Sequence, residues 1–168
     1  MGFIIDSNMK PEDKKKIYSE LLPQVEAVVY TCPDPISAMA SVASILHHAF
    51  PHFFWTGFYR VIHPGFLGAG PYQGTLACLE IPFDKGVCGL SATTRETVIV
   101  DDVSGFEGYI SCDSRTSSEI VVPIIDSADR LIGVLDIDSA ELNSFDMIDA
   151  EYLEKICQVL ASCDGKDL

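Results

Sequence analysis

Positive charge is scarce in this chain. Lys and Arg together number 11 of 168 residues, against 25 Asp and Glu, for a formal net charge of −14. Such a surface repels phosphate backbones and anionic lipid, which argues against nucleic-acid and membrane-surface roles. Long apolar runs are also missing, and none approaches the ~20 residues of a spanning helix. All four His fall between positions 47 and 63 and there is no GxSxG stretch, so a Ser/His/Asp triad has no support. Neither CxxC nor HExxH occurs. His48 and His52 have i,i+4 spacing beside His47, but Pro51 falls between them and would end any helix holding that spacing. No metal site is therefore expected. The glycine-rich run Gly68–Gly74 precedes a strand instead of opening a helix, so it reads as a hairpin loop and not a phosphate cradle.

The opening residues, MGFIIDSNMKPEDKKK, lack the basic, apolar, small-residue order of a signal peptide. Asp6 stands where a myristoylation motif wants Ser or Thr. A cytoplasmic location is the expectation, and there thiols stay reduced. Six cysteines in that setting read as core, metal or catalytic residues and not as staples.

A hydrophobic fraction of 48% and a charged fraction of 21% fit one ordinary globular domain. Residues 1–10 read as an N-terminal arm and 11–168 as the domain. Helical spacing runs from Pro11 to Leu22, with Pro23 expected to interrupt or kink it before Val25–Tyr30. A second helix spans Pro35–Ala49 with Asp34 as its N-cap and Ile36, Met39, Ala40, Ala43 and Leu46 on one face. The period then changes. Strands are expected over 53–62, 76–81, 97–100, 120–125 and 131–138, with a glycine/proline loop over 64–74. Gly86–Thr94 suits a short helix. Asp101–Ser118 reads as a long ordered loop, which in a compact domain is usually functional. Phe145–Leu160 closes the chain as a helix that Ser144 can cap, with Asp146 and Asp149 suiting its N-terminal dipole. The class is α+β: helices from both ends of the chain pack on one face of an antiparallel sheet, leaving the other free for a pocket.

Two groups of residues carry candidate chemistry. Asp136 and Asp138 in LDIDS share one face of a strand by the period-2 rule, opposite Leu135 and Ile137. They fit either a solvated outer face or a pocket floor that binds a cation or shares a proton. Cys78, Cys88 and Cys112 lie within one glycine-rich, polar stretch. Cys112, among Ser111, Asp113, Ser114, Arg115 and Thr116, has the polar loop setting of a reactive thiol. Cys32, Cys157 and Cys163 default to small apolar filler.

The segments WTGFY (55–59), GPYQGTLACLEIP (70–82), KGVCGLSA (85–92), IVDDV (99–103), GYISCDSRTSSEIVVPI (108–124) and IGVLDIDS (132–139) resemble the free methionine-(R)-sulfoxide reductases, which are single GAF-domain enzymes. The resemblance spans about Pro35 to Leu160. It implies a six-stranded antiparallel sheet with N- and C-terminal helices on one face and a ligand pocket on the other. It implies reduction of free L-methionine (R)-S-oxide to methionine, with Cys112 as nucleophile and Cys78 or Cys88 resolving the oxidised enzyme. Cys78 is favoured because a strand cysteine is better fixed than one in a glycine-rich turn. Trp55 and Tyr59 match the aromatic residues of the substrate pocket. Glu119, Asp136 and Asp138 match its acidic cluster, with Glu119 and Asp138 in the proton transfer and Asp136 on the substrate ammonium. No bound cofactor is implied; a thioredoxin-type dithiol supplies electrons, and the assembly is a homodimer. The alternative is a GAF small-molecule sensor, which would share the fold but need none of the cysteines.

Overall fold

The computed structural model describes residues 9–163, so most of the expected N-terminal arm lies outside the described residues. The chain runs α1 (Pro11–Thr31), α2 (Pro35–Ala49), β1 (Trp55–His63), β2 (Phe66–Gln73), β3 (Glu80–Pro82), α3 (Gly86–Thr94), β4 (Val98–Val100), β5 (Ser118–Ile125), β6 (Leu131–Ser139) and α4 (Met147–Ala161). The six strands form one sheet in the order β3-β2-β1-β6-β5-β4, antiparallel throughout. This is the expected α+β architecture.

The helices at both chain ends cover one face. Tyr18, Val25 and Val29 of α1, Val42 and Leu46 of α2, and Leu153 and Ile156 of α4 pack with Phe58, Ile120, Val122, Leu135 and Ile137 from the sheet. A second, smaller cluster lies on the opposite face, where α3 contributes Val87, Cys88 and Ala92 against Trp55, Tyr59, Val121 and Val134. Alternation along β5 and β6 thus sends one set of side chains to each layer. Among the described residues no helix is long and apolar enough to cross a membrane.

A buried polar clamp joins the two end helices. The Lys14 ammonium of α1 meets Asp149 at 2.6 Å and Asp146 at 2.9 Å, and the Tyr18 hydroxyl donates to Asp149 at 2.8 Å. Asp146 also caps α4, accepting from the backbone of Ile148, while Asp149 accepts from the Asp146 N–H to complete a capping box. The cap is therefore Asp146 and not the expected Ser144, whose hydroxyl instead donates to Ser139 Oγ at 2.7 Å. Asp34 caps α2 as expected, accepting from Ser37 N–H at 2.9 Å.

Further expectations change. α1 continues through Pro23, which sits on the solvent side, where the carbonyl it leaves unbonded can be hydrated. The inward face of α2 centres on Ala38, Met39, Val42 and Leu46, leaving Ile36 and Ala40 exposed. Residues 66–73 are a strand, not a loop: small residues there bring β2 close to β1, and a Cβ on Gly70 would sit 2.8 Å from Phe58 O. The expected strand over 76–81 shrinks to Glu80–Pro82, and Leu76 and Leu79 point to solvent. Cys78 consequently lies on a loop, which removes the strand argument for its rigidity.

Candidate active site

Strand register builds the site floor. Asp138 of β6 pairs directly with Glu119 of β5 on one side and Trp55 of β1 on the other. One step along, Asp136 pairs with Val121 and Gly57. Glu119, Asp136 and Asp138 therefore project from adjacent strands onto the face away from α1, α2 and α4. The two carboxylates of LDIDS belong to a pocket floor, not to a solvated outer face.

Gly57 makes room for the wall. A Cβ there would lie 2.6 Å from the Trp55 ring and 2.3 Å from Tyr72 Cβ. The indole of Trp55 instead lies over the sheet, stacked on Tyr59 and Tyr72 with centroids 5.7 and 5.3 Å away. Its N–H donates to Thr75 O at 2.9 Å, which ties the wall to the loop carrying Cys78.

Two loops form the mouth. Cys78 of the 74–79 loop is joined by a disulfide to Cys112 of the 106–117 loop, Cα to Cα 5.5 Å. Thr75 Oγ1 reinforces the junction by donating to Asp113 at 2.7 Å. Asp113 also takes a two-pronged bond from Arg115, and these donors hold its carboxyl well below the usual carboxylate range. Arg115 in turn lies over Phe54, 5.0 Å from the ring centroid. The guanidinium beside the mouth is thus already engaged.

Behind the disulfide is a cavity of about 30 Å³, measured to the centre of a water-sized sphere. Trp55, Tyr59, Cys88, Cys112, Glu119, Asp136 and Asp138 all line it, so the expected site residues converge, with Cys78 bonded to Cys112 at the rim. Tyr109, Thr116, Ile110 and Asp113 line it too and were not singled out from sequence. Tyr109 and Thr116 flank Cys112 in the one loop whose polar density marked it as functional, which was the available signal. No Lys, Arg or His is among the lining residues.

The electrostatics follow from burial. Burial pushes Glu119 and Asp138 well above the usual carboxylate range, and the neighbouring carboxylates push them further. Asp136 is raised less, to about 7, because Cys88 and Glu119 both hydrogen-bond to it. The Cys88 thiol is pushed far up, chiefly by burial and then by Asp136 and Glu119. Cys88 occupies the first turn of α3 but is a neutral donor in this setting, unlike Cys112, which is exposed at the rim. The arrangement offers a disulfide at the rim, an aromatic wall and a cluster of buried acids whose pKa values are raised.

The GAF-domain profile matches residues 39–163. Protein YtsP of Bacillus subtilis is 42% identical over 150 residues, 88% of this chain and 91% of that protein. The free methionine-R-sulfoxide reductase of Saccharomyces cerevisiae is 38% identical, covering 88% of this chain and 86% of its own. Among solved structures, free methionine-R-sulfoxide reductase from Neisseria meningitidis in complex with its substrate superposes with a TM-score of 0.86 at 43% identity, covering 92% of each chain. The GAF-domain match over most of the chain and the identity to named free methionine-R-sulfoxide reductases place the chain in the GAF-domain family of free methionine-(R)-sulfoxide reductases.

Proposed function

We propose that this protein reduces free L-methionine (R)-S-oxide to methionine. The observation that carries the reading is the Cys78–Cys112 disulfide at the mouth of an aromatic-walled cavity lined by Glu119, Asp136 and Asp138. An ordinary ligand-sensing pocket has no use for that pair.

The Cys112 thiolate attacks the sulfoxide sulfur while the oxygen takes up a proton. The bonds from the substrate sulfur to oxygen and to Cys112 then both break as the hydroxyl passes to the Cys112 sulfur, so methionine leaves and Cys112 is a sulfenic acid. The thiol of Cys78 attacks that sulfur, its proton leaves with the hydroxyl as water, and the disulfide forms. Two thiols are oxidised for each sulfoxide reduced. A thioredoxin-type dithiol returns the electrons by exchange at the rim, where Cys112 is exposed and Cys78 partly so.

Glu119 is the proton donor, because burial and the neighbouring carboxylates raise its pKa and favour its protonated form. Asp138 assists from the paired position on β6. Asp136, the most readily ionised of the three, suits the substrate ammonium, for which the cavity wall supplies no competing cation. Trp55 and Tyr59 enclose the apolar part of the amino acid. A recessed site built this way takes a free amino acid and not a residue within a folded chain.

The deciding experiment counts free thiols after adding methionine sulfoxide to reduced protein without reductant. Loss of two thiols per methionine formed is expected, with the R isomer and free form preferred over the S isomer and a peptide. Cys112→Ser abolishes turnover, and Cys78→Ala allows one stoichiometric turnover without cycling. Unchanged thiol counts, or a Cys112→Ser variant of full activity, refute the assignment. Glu119→Gln slows the chemical step more than it raises KM; an effect on KM alone removes Glu119 from proton transfer.

A further inference from the structure

Cys88, Glu119 and Asp136 come from three separated segments: the first turn of α3, the start of β5 and the middle of β6. Each offers a ligand atom, and these atoms lie within 4.8 Å of one another. All three residues are buried. Asp136 is 6% exposed, lines the cavity, and its Oδ1 has no hydrogen-bond partner among the described residues. A buried carboxylate oxygen in that condition is costly and calls for a cationic or donor partner. The cavity wall contains no basic side chain to be that partner.

We propose that these three residues form a binding site for one thiophilic divalent cation of the zinc class. At the tetrahedral angle, zinc–sulfur bonds of about 2.3 Å and zinc–oxygen bonds of about 2.0–2.2 Å put ligand atoms roughly 3.3–3.7 Å apart. Small side-chain adjustments bring the present spacing within that reach. The donor set decides the metal: one thiolate with two carboxylates favours zinc-like ions over magnesium or calcium, which take oxygen alone. A cavity of about 30 Å³ with the disulfide closed accommodates an ion. Cys88 ligates as its thiolate, so its thiol proton is released when the cation binds. The ligands lie far apart in sequence, at positions 88, 119 and 136, which is why no motif announced the site. On the proposed function, the cation and the substrate ammonium compete for Asp136, and the metal acts as an inhibitor.

The test uses protein with the Cys78–Cys112 disulfide intact, so that neither of those sulfurs can ligate. Titration with Co²⁺ is expected to bind one ion per chain with thiolate-to-cobalt charge-transfer absorption, removed by equimolar Zn²⁺. Cys88→Ser loses that absorption. Asp136→Asn weakens binding at least tenfold but retains the absorption at saturation, which separates lost ligation from lost folding. A wild-type protein without the absorption, or a Cys88→Ser variant that keeps it, overturns the site. In a Cys78→Ser/Cys112→Ser double variant, methionine sulfoxide is expected to displace Co²⁺ and to weaken its apparent affinity at least tenfold at saturating sulfoxide. If the Cys88-dependent absorption is present but the sulfoxide fails to displace cobalt, the metal site stands and the proposed substrate pocket is what fails.

Discussion

Oxidation of Cys78 and Cys112 should stabilise the fold by an amount that the chain length sets. The pair is 34 residues apart. Closing a loop of that length removes about 13 cal/mol/K from the unfolded ensemble, or about 4 kcal/mol at 25 °C. For a chain of this size that corresponds to a rise in Tm of roughly 8–16 °C. The figure is a ceiling, since any structure kept by the reduced, unfolded chain lowers the entropy that the bridge removes. The assay is urea and thermal unfolding of reduced protein before and after one equivalent of methionine sulfoxide, with excess reductant removed. Cys88→Ser should retain the oxidised-minus-reduced gap and Cys78→Ser should lose it. A gap below about 1 kcal/mol in the wild type would refute the chain-entropy reasoning, whose usual range is 2–4 kcal/mol. Persistence of the gap in Cys78→Ser would show that another thiol closes the bond.

Asp136→Asn tests the acid cluster. The folded pKa of Asp136 is raised from 3.8 to about 7, so the native state holds this proton more tightly than the unfolded chain does. Its contribution is complete below the unfolded value and is lost as pH rises through the folded one, so the variant should gain stability relative to wild type between about pH 4 and pH 7. Urea unfolding across that range checks it, and a difference that shrinks with pH refutes it. Lys14→Met leaves Asp149 buried without its cation and should cost about 3–5 kcal/mol in urea unfolding, with little change in KM. Gly57→Ala forces a Cβ into the Trp55 ring, and overpacking of this kind costs about 1–3 kcal/mol. Trp55 is the only tryptophan in the chain, so a shifted emission spectrum and a raised KM should report the displaced wall.

Residues that period and chemistry mark locally are legible in the chain itself. Leu135 and Ile137 opposite Asp136 and Asp138 follow from a two-residue repeat. Asp34 and Pro35 announce the start of α2. The polar setting of Cys112 distinguishes it from the other thiols. Errors arose where local composition competed with pairing. Gly68, Gly70 and Pro71 read as loop, yet small residues are what lets β2 lie close against β1. Residues 76–81 read as a strand, yet pairing with β2 starts only at Leu79 O, and Leu76 and Leu79 both face solvent. Ser144 and Asp146 are both good caps, and the buried ammonium of Lys14 favours the second.

The sequence by itself determined the α+β class, the two faces of β6, the polar loop setting of Cys112 and the family resemblance, because each depends on short-range order or on matching residue types. Tertiary structure decided which thiol meets Cys112. Cys78 and Cys88 differ little in separation along the chain, but α3 turns Cys88 inward to Asp136, while the 74–79 loop brings Cys78 to the rim. It also decided that three acids from two strands share one cavity. Their raised pKa values come from burial and mutual repulsion, which exist only when strands register Glu119 against Asp138.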